Sequence, residues 1–348
     1  MGFPLGDYID RHAGVRHDLA QSGMGGAIAL PRPTPREVRD ASEARLRGRL
    51  AELVGVSAHR LFLTHGASEA NALAILFLAR RERGRPATCR IVRPEYPPLF
   101  DVARWAGFRL VRPERPSTLA IVSRPRNPTG ELGAEDEMHA LARGTRAILV
   151  DETFREFSPE RSVQRWAIAR LWSSGSFTKV YGADDLRVGY LVAPEAAAEA
   201  FARFYGVATD RVPPYSIAGA LALLERRDRI LRRVRRRVER HRRSWHRASP
   251  GVPTGGGSTV FDLGTGPDGD AFARRCLRSS VLVCPGSFFG VRRGVRVCLT
   301  RPSFPQDLAA YLEVRDRPSR ARTRRITEDR SSARPDRGRT GRIGAGPR

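Results

Sequence analysis

From about residue 40 to residue 195, short apolar runs alternate with amphipathic stretches. "ASEARLRGRLAELVG", "SEANALAILFLARRER" and "PPLFDVARWAG" place apolar residues at helical spacing and read as helices. Between and after them come "RLFLT", "CRIVRP", "FRLVRP", "TLAIVS", "RAILVD", "ARLWSS" and "RVGYLVAP", which read as buried strands. Such runs, separated by helices, predict an α/β fold: a mainly parallel seven-stranded sheet with helices on both faces.

From 195 to 247 the pattern is helical throughout. "EAAAEAFARFYG" is followed by the long stretch "SIAGALALLERRDRILRRVRRRVERHRRSWHR", in which Ile230, Leu231, Val234 and Val238 form an apolar stripe. Residues 251–314 change character. "GGGSTVFDLG" and "VRVCLT" read as strands, "DAFARRCLRSS" and "QDLAAYLEVR" as helices, which predicts a small α+β unit. Beyond about 315 the chain is Arg, Ser, Pro and Gly with almost no large apolar residues, so a disordered basic tail is expected over 316–348.

Charge modifies this picture in two places. The formal net charge is +25, of which residues 225–247 supply +9 and residues 315–348 supply +8. Neither segment carries interleaved aromatics or a groove-binding motif. The arginines of the first are expected to be a solvated helix face, and nucleic acid is not expected as a partner. The longest apolar run, "ALAILFLA", is too short to span a bilayer, and "MGFPLGDYIDRH" has no basic start followed by an apolar core. No membrane association is expected. The four cysteines form no CxxC pair and the seven histidines no HExxH pattern, so no metal site is expected and a reducing, cytoplasmic location fits.

The basic residues number 62, and Lys179 is the only lysine among them. Arginine replaces lysine as a surface charge but not where an amine must lose its proton. Lys179 is therefore a candidate for amine chemistry, and its neighbours bear on the question. In "SGSFTKVYGADDLRVGY", Ser176 and Arg187 flank it and offer hydroxyl and guanidinium groups to a phosphate. In "THGASEA", Gly66, Ala67 and Ser68 turn from a strand into a helix whose free N–H groups suit a phosphate. "RNPTG" places Asn127 at a strand's C-terminal end, where a β-turn can also present its amide to a ligand. "AILVDETF" ends a buried run on Asp151, a carboxylate costly to bury unless paired; a protonated pyridine nitrogen is one partner, a helix cap or salt bridge another.

In order and spacing these motifs resemble the class I/II aminotransferases, the aspartate aminotransferase-like branch of fold-type-I pyridoxal phosphate enzymes. The resemblance runs over roughly residues 15–315. It implies pyridoxal 5'-phosphate as cofactor, with Lys179 as Schiff-base lysine and proton carrier at Cα. Asp151 would pair with the pyridine nitrogen and Asn127 with the ring's 3-hydroxyl. Ala67, Ser68, Ser176 and Arg187 would hold the phosphate. Tyr96, in "RPEYPP", matches the aromatic that stacks on the ring, and Arg296, in "GVRVCLT", the arginine that grips the substrate α-carboxylate. Gly23, in "DLAQSGMGG", falls at the substrate pocket. The resemblance also implies a homodimer and a division into an N-terminal segment (1–35) packing on the small domain, a cofactor-binding domain (36–247), and a small C-terminal domain (248–315).

Three departures stand out. "DETF" places Phe154 where the family often has a tyrosine. "PTPREVRDASEARLRG" lacks the tyrosine that usually reaches the partner subunit's phosphate. "DLAQSGMGG" replaces the usual Asn-Pro-x-Gly. The expected activity is amino transfer between an amino acid and a 2-oxo acid, in amino-acid metabolism. The alternatives are a pyridoxal phosphate-dependent decarboxylase or lyase and, from another class, a nucleic-acid-associated regulator.

Overall fold

The computed structural model describes residues 4–82 and 86–317. The tail expected to be disordered lies outside the described residues from 318 onward. In chain order the strands are β1 (His17–Asp18), β2 (Leu61–Thr64), β3 (Thr88–Ile91), β4 (Arg109–Val111), β5 (Ser117–Ser123), β6 (Thr145–Asp151), β7 (Leu171–Ser176), β8 (Gly189–Val192), β9 (Thr259–Asp262), β10 (Val281–Leu282), β11 (Cys284–Pro285) and β12 (Val295–Cys298).

One seven-stranded sheet runs β2-β8-β7-β6-β5-β3-β4. Only β8 opposes the others: it pairs antiparallel with β2 and β7, while the remaining pairs are parallel. All residues of β2, β5 and β8 are buried, so helices cover both faces and no polar alternation was available in the sequence. The mainly parallel seven-stranded α/β architecture read from the apolar runs is the one observed.

Register then does the positioning. Ser123, Asp151 and Ser174 stand side by side at the C-terminal ends of β5, β6 and β7. Gly189, at the start of β8, lies beside both Thr64 and Ser176. The polar ends of β2, β5, β6 and β7 therefore converge on one edge, the edge where open parallel sheets bind ligands.

A second sheet, β11-β12-β9, is antiparallel and carries Arg296 opposite Cys284 and Phe261. The N-terminal segment sits against it. β1 pairs with β10, and Cys298 N donates to Leu19 O at 2.9 Å.

The long helical stretch read as continuous from 216 to 247 is two helices, Pro214–Glu225 and Arg227–Ala248, broken at Arg226. The first is buried along most of its length. The second is amphipathic, with Leu231, Val234, Val238, His241 and Trp245 buried. A tight turn lets one helix sit inside and the next lie over the surface. Glu156 fixes the turn by accepting from Arg227 Nε at 2.9 Å and Nη2 at 2.6 Å. Other arginines of the second helix are also tied down: Arg235 donates to Glu156 O and Arg242 to Gly256 O and Gly257 O. Among the described residues no helix is long and apolar enough to cross a membrane, and no group of histidines, cysteines or carboxylates could hold a metal ion.

Candidate active site

A cavity of about 470 Å³ opens where the strand ends meet the N-terminal segment and the β12 sheet. Every residue to which the resemblance gave a binding or catalytic role lines it: Gly23, Ala67, Ser68, Tyr96, Asn127, Asp151, Ser176, Lys179, Arg187 and Arg296.

The anion end is built at the β2–helix junction. Gly66 adopts φ +98°, which closes the chain into helix Ala67–Arg81 without a side-chain cap, so the first-turn N–H groups face the cavity. Arg187 lies over this turn in the left-handed region (φ 48°), its Nη2 donating to His65 O at 3.1 Å. A non-glycine residue held there is strained, and such strain clusters at ligand sites. A Cβ added to Gly189 would meet Gly66 C at 2.5 Å, so β8 passes the turn with no room for a side chain. Gly189→Ala is expected to push the Gly66 turn outward. We expect a lower melting temperature, a loss of about 1–3 kcal/mol, and weaker binding of a phosphate-bearing ligand, read by fluorescence titration.

The other end is acidic. Asp151 is 7 % exposed; its Oδ2 accepts from Asn71 Nδ2 at 2.7 Å and its Oδ1 from Thr153 N at 2.8 Å. Asn71 is oriented in turn, because its Oδ1 accepts from Ser174 Oγ at 2.7 Å. No ion pair is formed by Asp151 among the described residues, and burial pushes its carboxyl above the usual range despite these bonds. A buried carboxylate with hydrogen bonds but no ion pair is suited to a cationic ligand group.

Lys179 follows β7. Burial lowers its amine below the ordinary lysine value; Asp184 opposes that and Arg296 adds to it. Lys179 O accepts from Met24 N at 2.8 Å, which draws the N-terminal segment onto the lysine. A Cβ at Gly23 would already stand 3.5 Å from Lys179 Cδ, so a longer side chain there would crowd it.

Arg296 is 2 % exposed. Its Nη1 donates to Asn127 Oδ1 at 3.0 Å, its Nη2 to Ala20 O at 2.7 Å and Cys284 Sγ at 3.2 Å, and the Phe289 ring lies 5.1 Å from its guanidinium. Its Nε has no hydrogen-bond partner among the described residues. A buried guanidinium with spare donors, on a cavity wall, is set up for an incoming carboxylate. Replacing it with glutamine should raise KM for a carboxylate-bearing substrate roughly tenfold to a hundredfold, read in steady-state assays.

Some of the wall had no sequence signal. Leu5, Gly6, Ile9 and Asp10 of the N-terminal helix Pro4–Arg11 close one side, and Gln21, Thr153 and Asp184 also face in. Asn71 was readable in principle as a polar residue on the buried face of helix Ala67–Arg81. Phe154 is in the cavity wall and stacks on Phe157 at 6.0 Å, so the hydroxyl the family often has is absent there.

These features fit pyridoxal phosphate. A glycine turn under an arginine suits the phosphate, a buried carboxylate in no ion pair suits a protonated ring nitrogen, and an amine of lowered pKa lines the same cavity. An α/β sheet whose strand ends carry such a site defines the fold-type-I class. The aminotransferase class I and II profile matches residues 36–305. The chain therefore belongs to the class I and II aminotransferases, a pyridoxal phosphate-dependent enzyme family. It is 28 % identical over 267 residues to the aspartate aminotransferase of Thermococcus kodakarensis, covering 70 % of this chain and 71 % of that protein. Capreomycidine synthase of Streptomyces vinaceus is 27 % identical, covering 92 % of this chain and 95 % of that one. In fold, the crystal structure of an aminotransferase from Mycobacterium tuberculosis superposes with a TM-score of 0.75 at 20 % identity, over 90 % of this chain and 95 % of that one.

Proposed function

We propose that the protein moves an amino group between an amino acid and a 2-oxo acid, with Lys179 as the reacting amine. One observation carries the reading. The chain's only lysine shares a cavity with a buried Asp151 that forms no ion pair among the described residues and a buried Arg296 that has spare donors. Pyridoxal phosphate supplies an aldehyde that takes up the amino group and a protonated ring that accepts the electrons released at Cα.

The chain's own residues have separable tasks. The first-turn N–H groups at Ala67 and Ser68, with Ser176 and Arg187, hold the phosphate. Asp151 would hold a proton on the ring nitrogen. Asn127 has its Oδ1 committed to Arg296, which leaves its Nδ2 to donate to the ring oxygen. Tyr96 presents its ring to the cavity beside them. Arg296 binds the α-carboxylate of the amino acid and so aims its Cα proton. Lys179 Nζ, neutral more readily than an exposed lysine, takes that proton and returns it. We place cofactor binding in residues 36–247 and the carboxylate grip in 248–315 with the N-terminal segment 1–35. A homodimer, as the family resemblance implies, and a cytoplasmic location, which the four unpaired buried cysteines favour, complete the proposal.

Decarboxylase or lyase chemistry is the second reading. Phe154 favours it, because the ring oxygen there lacks a tyrosine hydroxyl, as does similarity along most of the chain to a protein named capreomycidine synthase. A screen of amino acids decides between them. Transfer of the amino group to a 2-oxo acid supports the first, and release of CO₂ or ammonia without transfer supports the second.

A further inference from the structure

Behind Asn127 lies a carboxylate that the proposed mechanism does not use. Glu95 is 1 % exposed. Its Oε1 accepts from Tyr96 N at 2.7 Å and from Ser123 Oγ at 2.6 Å, and its Oε2 from Ser123 N at 2.8 Å. Ser123 has one hydroxyl proton, and giving it to Glu95 leaves the oxygen's lone pairs turned the other way. Asn127 N donates to that oxygen at 2.8 Å. Asn127 Oδ1 then accepts from Arg296 Nη1 at 3.0 Å.

A second route leaves the same residue through its backbone. Glu95 N donates to Phe289 O at 3.2 Å, and the Phe289 ring faces the Arg296 guanidinium at 5.1 Å. The side chain of Glu95 thus reaches Arg296 through Ser123 and Asn127, and its backbone reaches it through Phe289. Glu95 ties the end of β5 to the turn Gly286–Phe289, between β11 and β12.

The choice of residue is costly. Burial pushes the Glu95 carboxyl up to about 7 against the pull of its three hydrogen bonds, and the neighbouring Asp151 charge adds to the rise. A glutamine would cost less to bury. It would also turn an amide NH₂ toward donors already in place, either Ser123 N or the Ser123 hydroxyl and Tyr96 N. Only a carboxylate accepts on both oxygens and so fixes the hydroxyl's direction.

We propose that Glu95 is a positioning residue: through the Ser123 hydroxyl it sets Asn127, and through Asn127 it seats Arg296, so that the ring-binding and carboxylate-binding groups keep one geometry. The inference rests on the reading that Asn127 and Arg296 hold pyridoxal phosphate and the amino acid.

The test titrates pyridoxal phosphate into wild type, Glu95→Gln, Ser123→Ala, Ser123→Thr, Asn127→Ala and Lys179→Ala. It records the dissociation constant and the pH midpoint of the bound cofactor's visible band. It then measures KM and kcat with the amino acid that reacts fastest in the screen. Glu95→Gln and Ser123→Ala are expected to move the band's midpoint in the direction that Asn127→Ala moves it, and to raise KM roughly tenfold. Ser123→Thr, which keeps the hydroxyl, should stay near wild type. If Glu95→Gln fails to fold, Ser123→Ala reads the same relay. A wild-type midpoint and KM in both variants, with at most a lower melting temperature, overturns the inference while the functional reading stands. A wild type with no Lys179-dependent band overturns the functional reading, and the inference with it.

Discussion

Lys179→Arg abolishes turnover, by about a thousandfold or more, while the protein keeps its fold and its charge. The expectation follows from what arginine cannot do. Its guanidinium stays protonated at any working pH, so it can neither engage an aldehyde nor accept a proton from Cα. The lysine amine is prepared for both tasks by burial, with Arg296 disfavouring its charge further. Lys179→Ala should be equally inactive. If exogenous methylamine restores part of its activity and none of the arginine variant's, the loss is one of amine chemistry rather than of packing.

Asp151→Asn has the second largest expected effect, and it acts on rate and stability in different ways. The amide has the same shape but cannot hold a proton on a ring nitrogen. We expect kcat to fall roughly a hundredfold to a thousandfold, the scale for losing a preorganised charge partner of the reacting group. Stability gives an independent readout. Burial raises the folded-state value of this carboxyl above its unfolded value of about 4. Its contribution to stability is therefore fully present below about pH 4 and is lost as pH rises through the raised folded value. The asparagine does not titrate. The stability difference, variant minus wild type, should shift in favour of the variant as pH rises from about 4 through the raised folded value, measured by denaturant titration of the unloaded protein. A flat difference across that range would mean that Asp151 is not the desolvated carboxylate described above.

The sheet was legible because most of its strands are short apolar runs covered on both faces, and burial of that kind leaves its mark on composition alone. The direction of β8 was not, because pairing with β2 and β7 is decided by chain segments more than a hundred residues apart in the case of β2. The break at Arg226 was hidden for a local reason. Arginine is a good helix former, and the turn is imposed by Glu156, seventy residues earlier in the chain. The helix Pro35–Arg39 could have been read from Thr34, Pro35 and Glu37, which form a capping box.

The site divides in the same way. Lys179, Asp151, Asn127 and Arg187 stand at strand ends within recognisable motifs, so their meeting in one cavity could be anticipated. Glu95 and Asn71 act on those residues from behind. Their partners, Ser123 and Asp151, lie far along the chain; Asn71 is marked only as a polar residue on a buried helix face, and nothing adjacent in the sequence marks Glu95. The wall made by Leu5 and Ile9 is likewise a product of the N-terminal segment docking on the β12 sheet.

Mass spectrometry gives the most direct measurement of the central claim. The protein is loaded with pyridoxal phosphate, treated with borohydride to fix any amine–aldehyde linkage, and digested with trypsin. Arg170 and Arg187 bound the segment that contains Lys179, and trypsin does not cut at a modified lysine. The expected product is one intact peptide spanning residues 171–187 that carries the reduced cofactor. Cleavage after Lys179 with no added mass, or the cofactor recovered on the N-terminal amine instead, would contradict it.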